Sequence, residues 1–163
     1  MKSAVRRAES KPAAARTAAS RATAAGDDYR LEDQAGHLLR RAHQRHTAIF
    51  QEGIGELQLT PTQFAALAKI RDEGEVSQNQ LGRLTAMDPA TIQGVIQRLE
   101  ARKLIAREAD PEDGRRTILR LTASGQSLAA EAVTRARAIT EQTLAPLSAA
   151  ERQTFLALLR KLT

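Results

Sequence analysis

The spacing of apolar and polar residues changes along the chain, and each change marks an element. From Asp28 to about Gly55, the residues Leu31, Ala35, Leu38, Leu39, Ala42, Ile49, Phe50 and Gly53 recur at helical spacing and share one face. His46 falls near the middle of that face and His43 at its margin. Three shorter helical patterns follow, each with a start signal. Thr60-Pro61-Thr62-Gln63 joins a capping box to a proline at the first helical position. It predicts a helix to about Arg71, stopped by Asp72-Glu73-Gly74. Ser77-Gln78-Asn79-Gln80 is a second capping box and opens a helix to about Thr85. Asp88-Pro89 opens the third, to about Arg102, with Ile92, Val95, Ile96 and Leu99 facing inward.

The pattern then changes from helix to strand. Leu104 to Glu108 and Thr117 to Leu121 read as two strands around the turn chemistry of Asp110-Pro111-Glu112-Asp113-Gly114. A single hairpin is expected, with charges at its tip. Thr122 caps a long helix over 123–143, which Pro146 terminates. Ser148-Ala149-Ala150-Glu151 is another capping box and opens a last helix carrying Phe155, Leu156, Leu159 and Leu162. The expected fold is mainly α with a small β-hairpin wing, that is, a winged helix-turn-helix. The outer helices carry more apolar surface than so small a domain can cover alone, so a helical dimerisation region built by a second copy is expected.

Composition narrows the function. The 163 residues include no cysteine, which excludes disulfides, thiolate metal sites and thiol redox sensing. Tyr29, Phe50, Phe64 and Phe155 are the whole aromatic set, too few for stacking single-stranded bases. No apolar run reaches the roughly 18 residues of a membrane span, and the first residues lack the apolar centre of a secretory signal. A soluble, cytoplasmic and nucleoid-associated protein is expected. The net charge is +6, yet residues 1–26 alone hold six basic side chains against Glu9. That segment is also poor in large apolar residues, so residues 1–27 are expected to form a disordered basic arm that adds phosphate contacts or is inert. The remainder is nearly neutral, and any DNA affinity there must come from charge placement.

The helix opening at Asp88 is the expected reading element. Pro89, Ala90, Thr91, Gln93, Gly94, Gln97 and Arg98 lie on its outward side, and Ser77 and Gln78 open the helix before it. Gln pairs with adenine and Arg with guanine through bidentate hydrogen bonds. Gly inside a helix costs about 1 kcal/mol relative to Ala, so Gly94 points to a need for close approach. At the hairpin tip, Asp113 is placed to hold Arg115 extended, and Arg115 and Arg116 suit the negative potential of a narrow minor groove.

From Leu59 to Gly125 these residues resemble the MarR family of bacterial regulators. The likeness rests on LTPTQFAAL, on SQNQLGRLTAMDPATIQGVIQRLEARKLI and above all on DPEDGRRTILRLTASG. The last holds an Asp-x-x-Asp-x-Arg core (Asp110, Asp113, Arg115), then Leu121-Thr122 and Gly125. One departure is Gly114, where family wings often carry a basic residue; more then rests on Arg115 and Arg116. The likeness extends over about 28–163. It implies dimerisation helices at 28–55 and 123–163, and a winged-helix DNA-binding lobe at 59–122. It also implies a homodimer on a palindromic duplex operator, acting as a repressor that a small aromatic carboxylate releases.

For that effector the first helix offers His43, Arg45, His46 and Phe50, and the next helix offers Phe64. An aromatic acid could stack on a Phe while His and Arg hold its carboxylate. The same histidines also fit plain core or interface positions, or a pH sensor. No third ligand accompanies them, so no metal and no other cofactor is expected. The run HLLRRAHQRHTAIFQ is similar to nicotinate-degradation repressors within the family, which implies 6-hydroxynicotinate as inducer. The sequence holds no nucleophile motif or glycine-rich phosphate loop, so an enzyme is not expected. The rival reading is an architectural DNA-binding protein that needs no effector.

Overall fold

Capping chemistry sets where the helices begin. The computed structural model describes residues 29–109 and 117–163; the basic arm and the wing tip, with Asp113, Arg115 and Arg116, lie outside the described residues. Helix α1 spans Ala35–Ile54. It does not run unbroken from Asp28 as expected. A 3-10 turn at Leu31–Asp33 precedes it, and Gln34 between them is extended, with its side chain donating to the Arg30 carbonyl.

Helix α2 spans Pro61–Glu73, and both halves of its capping box form between Thr60 and Gln63. That exchange explains how Gln63 can be buried: its Oε1 accepts from the Thr60 N–H at 3.0 Å. Strand β1 spans Glu75–Ser77, and helix α3 spans Gln78–Leu84. Here only half of the expected capping box forms. Ser77 accepts from the Gln80 N–H, but no return bond from the Gln80 side chain is made, and the backbone of Ser77 is at the same time the end of a paired strand.

Helix α4 spans Pro89–Ala101, strand β2 Ile105–Ala109 and strand β3 Thr117–Leu121. Among the described residues the sheet has three antiparallel strands in the order β1-β3-β2, one more than the expected hairpin. Glu75 lies opposite Arg120, and Arg107 opposite Leu119. Arg120 on the central strand pairs with Glu75 on one side and Glu108 on the other. β1 eluded the period-two reading because three residues directly after Gly74 are too few to show alternation.

Helix α5 spans Ala123–Thr143 under a Thr122 cap, and helix α6 spans Ala149–Arg160 under a complete Ser148–Glu151 capping box. The core gathers Ile54, Leu67, Ile70, Leu81, Ile92, Ile96, Leu99 and Leu119, all fully buried. α1 adds Ile49 and Phe50 to it only from its C-terminal half. α6 buries no residue at all, and Leu38, Leu39, Leu158 and Leu162 stand exposed. Within one protomer the outer helices are therefore unfinished.

The start of α5 is packed against the end of the α4 segment without slack. A Cβ at Gly125 would lie 1.9 Å from the Leu104 carbonyl oxygen, a backbone atom that cannot step aside alone. Gly125→Ala should therefore destabilise the protein by about 1–3 kcal/mol through overpacking. Denaturant unfolding at fixed protein concentration checks this, and an unchanged midpoint would show that the junction has room.

Candidate nucleic-acid interface and effector groove

The placement of α4 begins with Asp88. Its carboxylate accepts from the N–H groups of Ala90 and Thr91 at 3.0 and 2.9 Å and from the Thr91 hydroxyl. These bonds hold its carboxyl below the ordinary aspartate range, the Thr91 hydroxyl contributing most. Beyond the cap, Ile92, Val95, Ile96 and Leu99 are all buried. The opposite side presents Pro89, Ala90, Thr91, Gln93, Gln97 and Arg98 to solvent, with Gly94 partly covered.

Gly94 is not needed for the protomer itself. A Cβ there would meet only the Arg98 guanidinium, at an ordinary 3.8 Å. The glycine thus leaves helix stability unclaimed with no internal contact to explain it.

Ser77 and Gln78 are half-buried at the start of α3, so Ser77 is present mainly as a cap. Gln78 lines a hollow of about 470 Å³ between α3 and α4, together with Asn79, Arg83 and Pro89. Asn79 and Arg83 escaped the sequence reading. Their spacing gives no local signal, and only the crossing of α3 with α4 brings them beside α4.

The candidate effector residues divide into three groups. His43 and His46 line a groove of about 490 Å³ walled by Leu39, Thr140, Thr143, Leu144 and Phe155 from α1, α5 and the α6 side. The His46 Nδ1 lies 3.0 Å from the Thr143 hydroxyl. Arg45 turns away: its Nη1 donates to the Thr143 carbonyl and its Nη2 to that of Gln142 at 3.2 Å, closing the C-terminal end of α5. Phe50 is buried and Phe64 half-buried, with ring centroids 5.8 Å apart and His46 at 6.4 Å from Phe50. The three rings make a continuous aromatic path from the groove to the base of α2. The walls supplied by α5 and α6 come from residues far along the chain, which no local pattern could announce.

A profile of the MarR family matches residues 57–116. The HTH-type transcriptional repressor NicR of Pseudomonas putida is 47% identical over 134 residues, covering 82% of this chain and 85% of that protein. A probable transcriptional regulator from Pseudomonas aeruginosa is 52% identical, with a TM-score of 0.77 over 82% of this chain and 100% of that one. BpsR of Bordetella bronchiseptica, whose DNA binding is regulated by 6-hydroxynicotinic acid, is 47% identical. Its TM-score is 0.78 over 82% of this chain and 96% of that one.

Two outcomes follow from α4. Gly94→Ala should stabilise the free protein by about 0.5–1 kcal/mol while weakening duplex binding. Parallel thermal melts and anisotropy titrations test the pair, and a variant that binds DNA as well as wild type would remove the close-approach argument. Asp88 carries a sign in pH. Because its folded value is lowered, its stabilisation is complete above the ordinary aspartate range and is lost as pH falls below about 4. Asp88→Asn should flatten that acidic part of the stability curve; a slope equal to wild type would assign the acid sensitivity elsewhere.

Proposed function

Since the chain belongs to the MarR family and is a DNA-binding transcriptional regulator rather than an enzyme, we propose that it is a repressor whose two copies occupy a palindromic operator until a small aromatic carboxylate releases them. The observation that carries the reading is the division of α4. One face is wholly buried, and the other is exposed, polar and small near its start. A symmetric pair sets two such faces about one helical turn of DNA apart. In this reading 59–122 is the DNA-binding lobe, with Asp113, Arg115 and Arg116 at the wing. Residues 28–55 and 123–163 dimerise, burying the open leucines of α1 and α6. The arm over 1–27 adds phosphate contacts, and the protein works on the nucleoid in the cytoplasm.

The effector reading rests on the groove between α1, α5 and α6. Its volume suits a small aromatic molecule, and its walls are apolar except for His43, His46 and two threonines. With Arg45 engaged by carbonyls, the histidines are left to meet a carboxylate. The Phe50–Phe64 pair beneath carries any shift of His46 toward α2. Likeness to NicR and to BpsR, the latter regulated by 6-hydroxynicotinic acid, favours 6-hydroxynicotinate among aromatic acids.

Anisotropy titrations on duplex DNA flanking the protein's own gene test both parts. 6-Hydroxynicotinate should weaken the complex at least about tenfold, a coupling in the usual range for allosteric ligands. His46→Ala should bind the duplex normally yet need more of the acid for release. Indifference to every aromatic acid would leave an effector-independent architectural protein, and failure to bind any flanking duplex would defeat the operator reading.

A further inference from the structure

The reading helix is held by more than its apolar face. Arg102, the residue that ends α4, reaches the connection between α1 and α2. Its Nη1 donates to the Gln58 carbonyl at 2.7 Å and its Nη2 to the Leu57 carbonyl at 3.0 Å. Gln58 has a φ of 52°, in the left-handed region, and it closes the 3-10 turn Gly55–Leu57 whose last carbonyl Arg102 grips. Arg135 from α5 takes the other side of the same connection. It donates to Glu56 at 3.0 Å and to the Gly53 carbonyl at 3.4 Å, while its second nitrogen pairs with Glu131.

A third tie closes the triangle. Immediately after Arg102, Lys103 also turns left-handed, with a φ of 56°. Its carbonyl accepts from Thr122 and Ser124, the residues that start α5, at 2.7 and 3.0 Å. The C-terminal end of α4 is thus pinned between the α1–α2 connection and the first turn of α5.

The apolar face and the Arg102 fork differ in what they can control. Burial of Ile92, Val95, Ile96 and Leu99 keeps α4 on the core and sets which face points inward, but apolar contact is non-directional and defines the tilt of the helix against α1 less strictly. A guanidinium fork on two successive carbonyls is directional, and lysine cannot reproduce it. We infer that Arg102 is a positioning residue for DNA reading: its fork on Leu57 and Gln58 fixes the orientation of α4 relative to the α1 helix, and so the separation at which a pair of these helices can read a duplex. The inference rests on α4 being the reading helix. It deepens that assignment by naming what sets the helix's angle.

The protein lacks cysteine, so two introduced ones can be labelled uniquely. Nitroxides at Gln44→Cys and Gln97→Cys, both exposed, report α4 against α1 in the absence of DNA. Doubly labelled chains are diluted into excess unlabelled chain for pulsed dipolar spectroscopy. One narrow distance is expected with Arg102 present, and a broad distribution with Arg102→Ala or Arg102→Lys. In parallel, a palindrome is selected by the wild-type protein from a random duplex pool, and one base pair is then added or removed at its centre. Wild type should lose about tenfold or more in affinity on either change, a cost like that of a mismatched base pair. Arg102→Ala, without labels, should bind the three duplexes within about threefold of one another, having lost much of that discrimination. A distance distribution as narrow as wild type in both variants overturns the inference, as does a wild-type spacing preference in Arg102→Ala. If the wild-type protein selects no duplex, the assignment of α4 fails, and the spin-label widths alone then decide whether the fork orients the helix. Thermal melts separate either result from simple unfolding, since Arg102→Lys keeps the charge and loses only the fork.

Discussion

A helix can offer polar side chains to a partner only if its opposite face is fixed, and burial of Ile92, Val95, Ile96 and Leu99 provides that fixing. Their contacts with α2, α3 and β2 convert a short amphipathic segment into a platform. Each such side chain contributes about 1.5–3 kcal/mol when removed from water, against about 1 kcal/mol for a typical cap and about 0–1 kcal/mol for a surface ion pair. The caps decide where helices start, and the core decides which way they face.

The same logic shows why one protomer is incomplete. The winged lobe is closed and well packed, whereas α1 and α6 meet around a groove with leucines left in water. A second copy covering those leucines would also wall the groove in which His43 and His46 lie. Dimerisation and any ligand held in that groove would then share one surface, and such a ligand would act through the geometry of the pair.

How much of this was legible in the sequence follows from the range of each interaction. Local chemistry was readable: Thr60 with Gln63, Asp88 with Pro89, Thr122 and Ser148 with Glu151 marked helix starts that the structure places at the same residues. The break at Gln34 was missed because a helical pattern of apolar residues continues across it. β1 was missed because it is defined by its partner β3 and not by its own three residues. Arg45 looked like a free cation beside an apolar stripe, yet its carbonyl partners lie 97 and 98 positions away. Position on a helix face could be inferred from spacing; what a long side chain reaches across the fold could not.

The central strand of the wing sheet carries Arg120 between two carboxylates, and all three groups remain partly in water. Such pairs are screened by dissolved ions over distances of about 10 Å at 0.1 M salt. Ionic strength therefore acts on this molecule in two places. It competes with basic side chains for phosphate, and it slackens the footing from which the β2–β3 ribbon projects. A salt titration of DNA binding would then carry a small contribution from these pairs beside that of phosphate neutralisation.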